Sequence, residues 1–92
     1  MKIENRRIIL TGAASGIGRA LLEALCRIPC HILAADRNGP ALAGSLAALE
    51  GCPAQLSGLE MDLSNSAGVD ALFDEAQARM NGVDICIANA GF

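Results

Sequence analysis

The hydrophobic period of this chain changes repeatedly between that of a buried strand and that of a helix. Residues 7–10 form a short apolar run rich in β-branched side chains, which predicts a buried strand ending at Thr11 and Gly12. From Gly16 the apolar residues recur at helical spacing and predict a stripe that faces the core. This stripe consists of Ile17, Ala20, Leu21, Ala24, Leu25 and Ile28. Pro29 predicts the end of the helix, because proline disfavours helical geometry in the residue before it.

The same alternation continues along the rest of the chain. Further strands are predicted over residues 31–35, 55–61 and 84–88. One helical pattern has Pro40 in its first turn, and a later one has Ser64 as its N-cap and ends at Asn81 and Gly82. The apolar stripes of these two helices are Leu42, Leu46 and Leu49, and then Val69, Leu72, Phe73, Ala76 and Met80.

Strands that alternate with helices of this length predict right-handed βαβ crossovers and therefore a parallel sheet covered on both faces. The predicted fold class is α/β, a doubly wound parallel sheet in three αβα layers. Of the 92 residues, 52% are hydrophobic but only 2% are aromatic, so the core must be built from Ala, Leu, Ile and Val. We expect a single domain over residues 1–92.

The charge and hydropathy of the chain exclude several classes of partner. The formal net charge is -3 and no run of one sign occurs, which argues against a nucleic-acid partner. No apolar stretch reaches the roughly 18 residues that cross a bilayer, and the N-terminal apolar run is too short for a signal peptide. The sequence therefore predicts a cytoplasmic protein with no membrane partner.

The four cysteines do not follow the spacing of a metal site. Cys26, Cys30, Cys52 and Cys86 match neither a paired CxxC zinc motif nor a small disulfide framework, so we expect reduced, mostly buried thiols and no metal. His31 opens the second predicted strand with no nucleophile near it in sequence, and it is interpreted as a structural or exposed ring.

A glycine-rich segment, residues 11–18 with the sequence TGAASGIG, joins the first predicted strand to the first helix. The first amides of a helix lack internal partners and lie at the positive end of its dipole, so an anion fits there. Gly12 permits a tight turn, Gly16 allows close approach of a diphosphate, and Gly18 allows close packing of helix and strand. A glycine-rich turn without a ligand is the alternative.

An acidic residue, Asp36, ends the second strand about twenty residues after the loop, where a carboxylate can bind both hydroxyls of the adenosine ribose of NAD. The 2'-phosphate of NADP would bring like charges together, at a cost of about 1 kcal/mol at about 4 Å in water and roughly 4 at an effective dielectric near 20. Arg37 argues the other way, because it could fold over that phosphate. We predict NAD in preference to NADP; a solvated carboxylate at a helix entry is the alternative for Asp36.

Together these motifs resemble the short-chain dehydrogenase/reductase family, in the subgroup with the TGxxxGIG loop, over essentially the whole chain. The resemblance rests on the loop, on Asp36, and on the segments Asp62-Leu63 and Asn89-Ala90-Gly91 after strands three and four. It implies a Rossmann-type fold, with strand order 3-2-1-4 in this part. The family's usual motif has a second Asn where this chain has Ala88.

The resemblance also implies a role for each matching residue. The diphosphate and its neighbouring ribose would be held by Gly12, Ser15, Gly16, Ile17 and Gly18. Asp62 would accept a hydrogen bond from the adenine amino group, while the Leu63 amide pairs a ring nitrogen. The adenine-side ribose would be lined, and the loop tied to Thr11, by Asn89, Ala90 and Gly91.

The family transfers hydride between nicotinamide and a small-molecule carbonyl or alcohol. Its catalytic Tyr, Lys, Ser and Asn follow the fourth strand, so the chain is predicted to be the N-terminal, cofactor-binding part, with no catalytic residue and no activity alone. The family's sheet continues past strand four, so this part alone would expose an unpaired edge. Either the rest of the protein is disordered or was cut away, or this part associates with another copy; a homo-oligomer is expected. A nucleotide-sensing module, or an isomerase or dehydratase on the same scaffold, is the alternative.

Overall fold

Strands and helices alternate along the chain in a computed structural model, which describes residues 3–14 and 16–89. The strands are β1 (Arg7–Thr11), β2 (His31–Asp36), β3 (Gln55–Glu60) and β4 (Ile85–Ile87). The helices are α1 (Gly16–Leu25), α2 (Gly39–Ala48) and α3 (Ser66–Met80). The strands form one parallel sheet in the order β3-β2-β1-β4, which confirms the predicted α/β class and strand order.

The register of the sheet brings three strand ends to one edge. Thr11 at the end of β1 lies opposite Ala35 of β2. Asp36, the last residue of β2, lies opposite Glu60, the last residue of β3. Because carboxyl ends of parallel strands share one edge, the loop after β1 begins beside the acidic residues that end β2 and β3.

Separate apolar cores lie on the two faces of the sheet. Alternate residues of β1 and β2 point to opposite faces, and both strands are buried on both sides. The core under α1 and α2 includes Ile8, Leu10, Leu22, Ile32, Ala34 and Leu42. The core under α3 includes Ile9, Leu33, Ala35, Leu72, Ala76 and Met80. The helices therefore cover both faces, as the doubly wound prediction requires.

The buried face of α1 differs from the predicted stripe. Gly18 and Leu22 are the buried residues of α1, and Leu21 and Leu25 pack partly against the core. The exposed residues of the predicted stripe are Ile17, Ala20 and Ala24. The prediction was wrong for these because the side of α1 that carries Gly18 lies closest to the loop and the sheet. Ile17, at the first turn, is 72% exposed.

The start of α3 also differs from the prediction. Asn65, not Ser64, is the N-cap, and its side-chain oxygen accepts a hydrogen bond from the Gly68 amide at 2.9 Å. The Ser64 amide instead donates to the Asp62 carboxylate at 2.9 Å, so Ser64 belongs to the preceding turn. On the predicted stripe of α3, Phe73 is 43% exposed.

The cysteine side chains range from buried to exposed. Cys26 and Cys30 are buried, Cys52 is partly buried, and Cys86 in the edge strand β4 is exposed. Burial raises the pKa of the Cys26 and Cys30 thiols, which keeps them protonated and poorly nucleophilic. Among residues 3–14 and 16–89, no helix has the length and apolar character needed to span a membrane.

Candidate nucleotide-binding site

The loop between β1 and α1 depends on glycine at two positions. Gly12 and Gly16 have φ angles of 66° and 59°, in the left-handed region that favours glycine. A Cβ at Gly16 would meet nothing within 4 Å, so the chain leaves space beside the first residue of α1. Since the first amides of a helix have no carbonyl one turn earlier, this space adjoins hydrogen-bond donors suited to an anion.

Gly18 makes the closest approach in the site. A Cβ on Gly18 would overlap the carbonyl oxygen of Gly12 and lie 2.7 Å from the Asn89 side-chain nitrogen. The sequence predicted that this glycine lets the helix pack on a strand. The structure shows a more specific contact, because α1 approaches the loop backbone and Asn89, which lies two residues after the end of β4.

Asp36 lies on the same rim of the sheet as the loop. Its Oδ2 accepts a hydrogen bond from the Ala14 amide at 3.0 Å, and its Oδ1 accepts one from the Asn38 amide at 2.9 Å. Each carboxylate oxygen can accept more than one hydrogen bond, so both retain capacity for a further donor. The carboxylate is thus held in place by two amides and can still bind a pair of hydroxyls.

Asp62 and Leu63 follow β3 at the same edge. The Asp62 carboxylate is exposed, and hydrogen bonds from Ser64, aided by the charge of Arg37, lower the pKa of its carboxyl group. Asp62 is therefore an ionised acceptor at neutral pH. The Leu63 side chain is buried in the core under α3, which fixes the adjacent backbone.

Asn89 connects the end of β4 to the loop. Its amide donates to the Thr11 hydroxyl at 2.9 Å, and its side-chain nitrogen donates to the Gly12 carbonyl at 3.4 Å. This is the tie to Thr11 that the resemblance implied. The remaining predicted site residues, Ser15, Ala90 and Gly91, lie outside the described residues.

Glu60 belongs to this edge but was not singled out from the sequence. Its Oε1 accepts a hydrogen bond from the Gly39 amide, at the first residue of α2, at 3.1 Å. The missed signal is positional: Glu60 ends β3 as Asp36 ends β2, and adjacent parallel strands bring such residues together.

This fold and this strand-edge site are those of a nucleotide-binding α/β domain. The sequence profile of the short chain dehydrogenase family matches residues 6–92, and the chain belongs to that family. Its relatives are dehydrogenases and reductases, so the family is one of oxidoreductases.

Three similar proteins illustrate the range of the family. The 1-deoxy-11-beta-hydroxypentalenate dehydrogenase of Streptomyces avermitilis is 34% identical over 91 residues, which are 99% of this chain and 34% of that protein. A short chain dehydrogenase/reductase from Burkholderia phymatum in complex with NAD has a TM-score of 0.86 and 31% identity, over 94% of this chain and 31% of that one. L-sorbose reductase from Gluconobacter frateurii, complexed with NADPH and L-sorbose, has a TM-score of 0.90 and 29% identity, over 100% of this chain and 35% of that one. The chain spans about a third of the length of each.

Proposed function

We propose that this chain binds the adenosine and diphosphate parts of a nicotinamide dinucleotide, NAD in preference to NADP. The parent activity we propose is that of an oxidoreductase acting on a carbonyl or alcohol of a small molecule. The observation that carries the proposal is the hydrogen bond between the Ala14 amide and the Asp36 carboxylate. It fixes a ribose-binding carboxylate next to a loop whose helix amides suit a diphosphate.

The residues of the chain fit such a cofactor. The positive φ and the open space at Gly16 allow an anion to approach the start of α1, and the contact at Gly18 holds the loop against α1. The diphosphate would be held by Gly12, Ser15, Gly16, Ile17 and Gly18. When bound, the nicotinamide would supply the hydride transfer, while the residues of this chain bind and orient the nucleotide.

The exposure of Ile17 fits the same proposal. Ile17 is 72% exposed at the first turn of α1, although a large apolar side chain is usually at least partly covered. We infer that this side chain is covered when a dinucleotide lies across the start of α1. The adenine would then reach the edge where Asp62 presents an ionised carboxylate, with Leu63, Asn89, Ala90 and Gly91 beside it.

The choice between NAD and NADP depends on local charge rather than on the fold. The Burkholderia structure contains NAD and the Gluconobacter structure contains NADPH, although both closely match this chain in fold. Here the ribose site holds Asp36, whose negative charge disfavours a 2'-phosphate. Arg37, the feature that favours NADP, lies close enough to Asp62 to lower the pKa of that carboxyl group. Arg37 can still pair with a 2'-phosphate, so the preference for NAD rests on Asp36.

The test is calorimetric titration of the whole protein with NADH and with NADPH. We expect tighter binding of NADH. Tighter NADPH binding would overturn the assignment of NAD, and absence of binding for both would overturn the site itself. The Gly16→Trp variant fills the open space at α1 and is expected to lose both ligands. Because Gly16 has a positive φ, the control is Gly51→Trp, at a position that also has a positive φ and open space but lies away from the loop; it should bind both ligands as the wild type does.

A further inference from the structure

The N-terminus of α2 lies beside Asp36, and acidic side chains of the protein occupy its first amides. The Asn38 amide donates to Asp36 Oδ1 at 2.9 Å, and the Gly39 amide donates to Glu60 Oε1 at 3.1 Å. Pro40 has no amide hydrogen to offer. A helix N-terminus ordinarily attracts phosphate through free amides and the positive end of the helix dipole.

The remaining amide of the first turn, that of Ala41, is also hydrogen-bonded within the chain. The Ala41 amide donates to the Asn38 side chain, the N-cap of α2, at 3.1 Å. The next amide, that of Leu42, donates to the Asn38 carbonyl at 3.0 Å. The start of α2 therefore has no amide left to bind an anion from solution.

Gly39 is shaped to accept the Glu60 carboxylate. A Cβ at Gly39 would overlap Glu60 Oε1 and lie 2.7 Å from its carboxyl carbon. Glycine therefore allows the contact as it stands, whereas a larger residue would displace the end of the Glu60 side chain. Glu60 also lies directly opposite Asp36 in adjacent strands, whose backbones are about 4.8 Å apart in a sheet.

We propose that Glu60 is a specificity-determining residue that excludes adenosine carrying a 2'-phosphate. This inference rests on the proposed function, in which Asp36 binds the adenosine ribose. A phosphate on that ribose would enter the field of a second carboxylate, and the Gly39 amide that could bind it is already occupied by Glu60. Asp36 selects the ribose hydroxyls, and Glu60 adds a separate penalty against the phosphate.

The test compares Glu60→Gln with Glu50→Gln in the whole protein. Both changes remove one negative charge, but Glu50 is exposed beyond the far end of α2. Affinities for NADH, NADPH, adenosine 5'-monophosphate and adenosine 2',5'-bisphosphate are measured by calorimetry at low salt. We expect Glu60→Gln to improve the affinity for NADPH relative to NADH about fivefold, and the affinity for adenosine 2',5'-bisphosphate relative to adenosine 5'-monophosphate by the same factor. Glu50→Gln should leave the ratio unchanged.

Two further measurements separate charge from structure. High salt should reduce the effect of Glu60→Gln, because screening weakens repulsion at the protein surface. Glu60→Ala, which also frees the Gly39 amide, should improve binding of the 2'-phosphorylated ligands more than Glu60→Gln does. Circular dichroism and thermal unfolding establish that the variants are folded.

The outcomes distinguish the two proposals. If the wild-type protein binds NADH but neither Glu60 variant changes the ratio, the role of Glu60 is wrong and the proposed function stands. If both Glu60 variants lose NADH and NADPH equally, Glu60 merely supports the fold and the inference is likewise overturned. If the wild-type protein binds no nucleotide at all, the proposed function and the inference fall together.

Discussion

The Asp36 carboxylate accepts a hydrogen bond from the Ala14 amide at 3.0 Å, which links the end of β2 to the glycine loop after β1. The same carboxylate accepts a hydrogen bond from the Asn38 amide. Two amides thus orient Asp36, and under the proposed function less conformational entropy would be lost when a ribose binds. The loop and the carboxylate act as one preorganised unit.

Replacing Asp36 with Ala should therefore weaken NADH binding more than NADPH binding. A hydrogen bond to a charged group contributes about 1.5–3 kcal/mol, so we expect NADH affinity to fall about tenfold to a hundredfold. NADPH should lose less, because the repulsion of its phosphate is relieved. Calorimetric titration measures both. Asp74→Ala, at an exposed position on α3, is the control and should change neither affinity. Equal losses for both nucleotides in Asp36→Ala would contradict the role of Asp36.

Two glycines provide opposite expectations for the same substitution. Gly18→Ala would drive a methyl group into the Gly12 carbonyl, and overpacking of this kind typically costs about 1–3 kcal/mol. Gly44→Ala, within α2, adds a methyl group that meets nothing within 4 Å. It should stabilise the protein by about 0.5–1 kcal/mol, since alanine restricts the unfolded chain and favours a helix.

Urea unfolding of the two variants measures these changes, and titration with NADH reports on the loop. We expect Gly18→Ala to unfold at lower urea and to bind NADH more weakly. Gly44→Ala should unfold at higher urea and bind NADH as the wild type does. Unchanged stability and binding in Gly18→Ala would show that the loop can move away from α1.

The strands, the helices and the parallel sheet could be predicted from local signals in the sequence, whereas the strand order followed from the resemblance to the family. Each strand is a short apolar run and each helix has its own period, and right-handed crossovers leave few ways to arrange them. The proximity of the glycine loop to Asp36 could be predicted from the parallel sheet. The loop follows β1 and Asp36 is the last residue of β2. Parallel strands bring their carboxyl ends to one edge of the sheet, as the hydrogen bond between Ala14 and Asp36 shows.

The features that the sequence did not predict depend on contacts between distant segments. Ile17 has the spacing of a core residue, but the approach of Gly18 to Gly12 turns another side of α1 inward. Glu60 contacts Gly39, 21 residues away, and no local pattern marks that pair. Ser64 and Asn65 are both good N-caps, and the hydrogen bond from Ser64 to Asp62 decides between them.

The hydroxyl of Thr11 is a buried acceptor whose loss should destabilise the protein. Thr11 is 2% exposed, and its Oγ1 accepts the hydrogen bond from the Asn89 amide at 2.9 Å. Thr11→Val keeps the shape but leaves that amide without its acceptor, at a cost of about 1–3 kcal/mol. Thr11→Ser retains the hydroxyl and should lose less. Urea unfolding measures the difference, and equal stability of Thr11→Val and the wild type would show that the Asn89 amide finds another acceptor.

At the amino-terminal ends of the strands, opposite the candidate nucleotide-binding site, Arg7 and Asp84 form an ion pair with two side-chain contacts. Arg7 Nε donates to Asp84 Oδ2 and an Arg7 terminal nitrogen donates to Oδ1, both at 3.0 Å. The Arg7 amide also donates to Oδ2, at 2.8 Å. These hydrogen bonds, those of the guanidinium first, lower the pKa of the Asp84 carboxyl to about 2. The pair joins the start of β1 to the residue before β4.

A lowered pKa in the folded state makes the stability depend on acid pH. The ordinary pKa of the Asp84 carboxyl is 3.8, so the stabilisation is fully present above that pH and is lost as the pH falls toward about 2. Asp84→Asn should therefore lower stability at pH 6 and flatten its fall between about pH 4 and pH 2. Asp62, whose pKa is also lowered, retains its own contribution in the same direction. Urea unfolding across this range, with Asp70→Asn on the exposed face of α3 as the control, measures the difference. An equally steep fall in Asp84→Asn and the wild type would show that the ion pair does not contribute to acid stability.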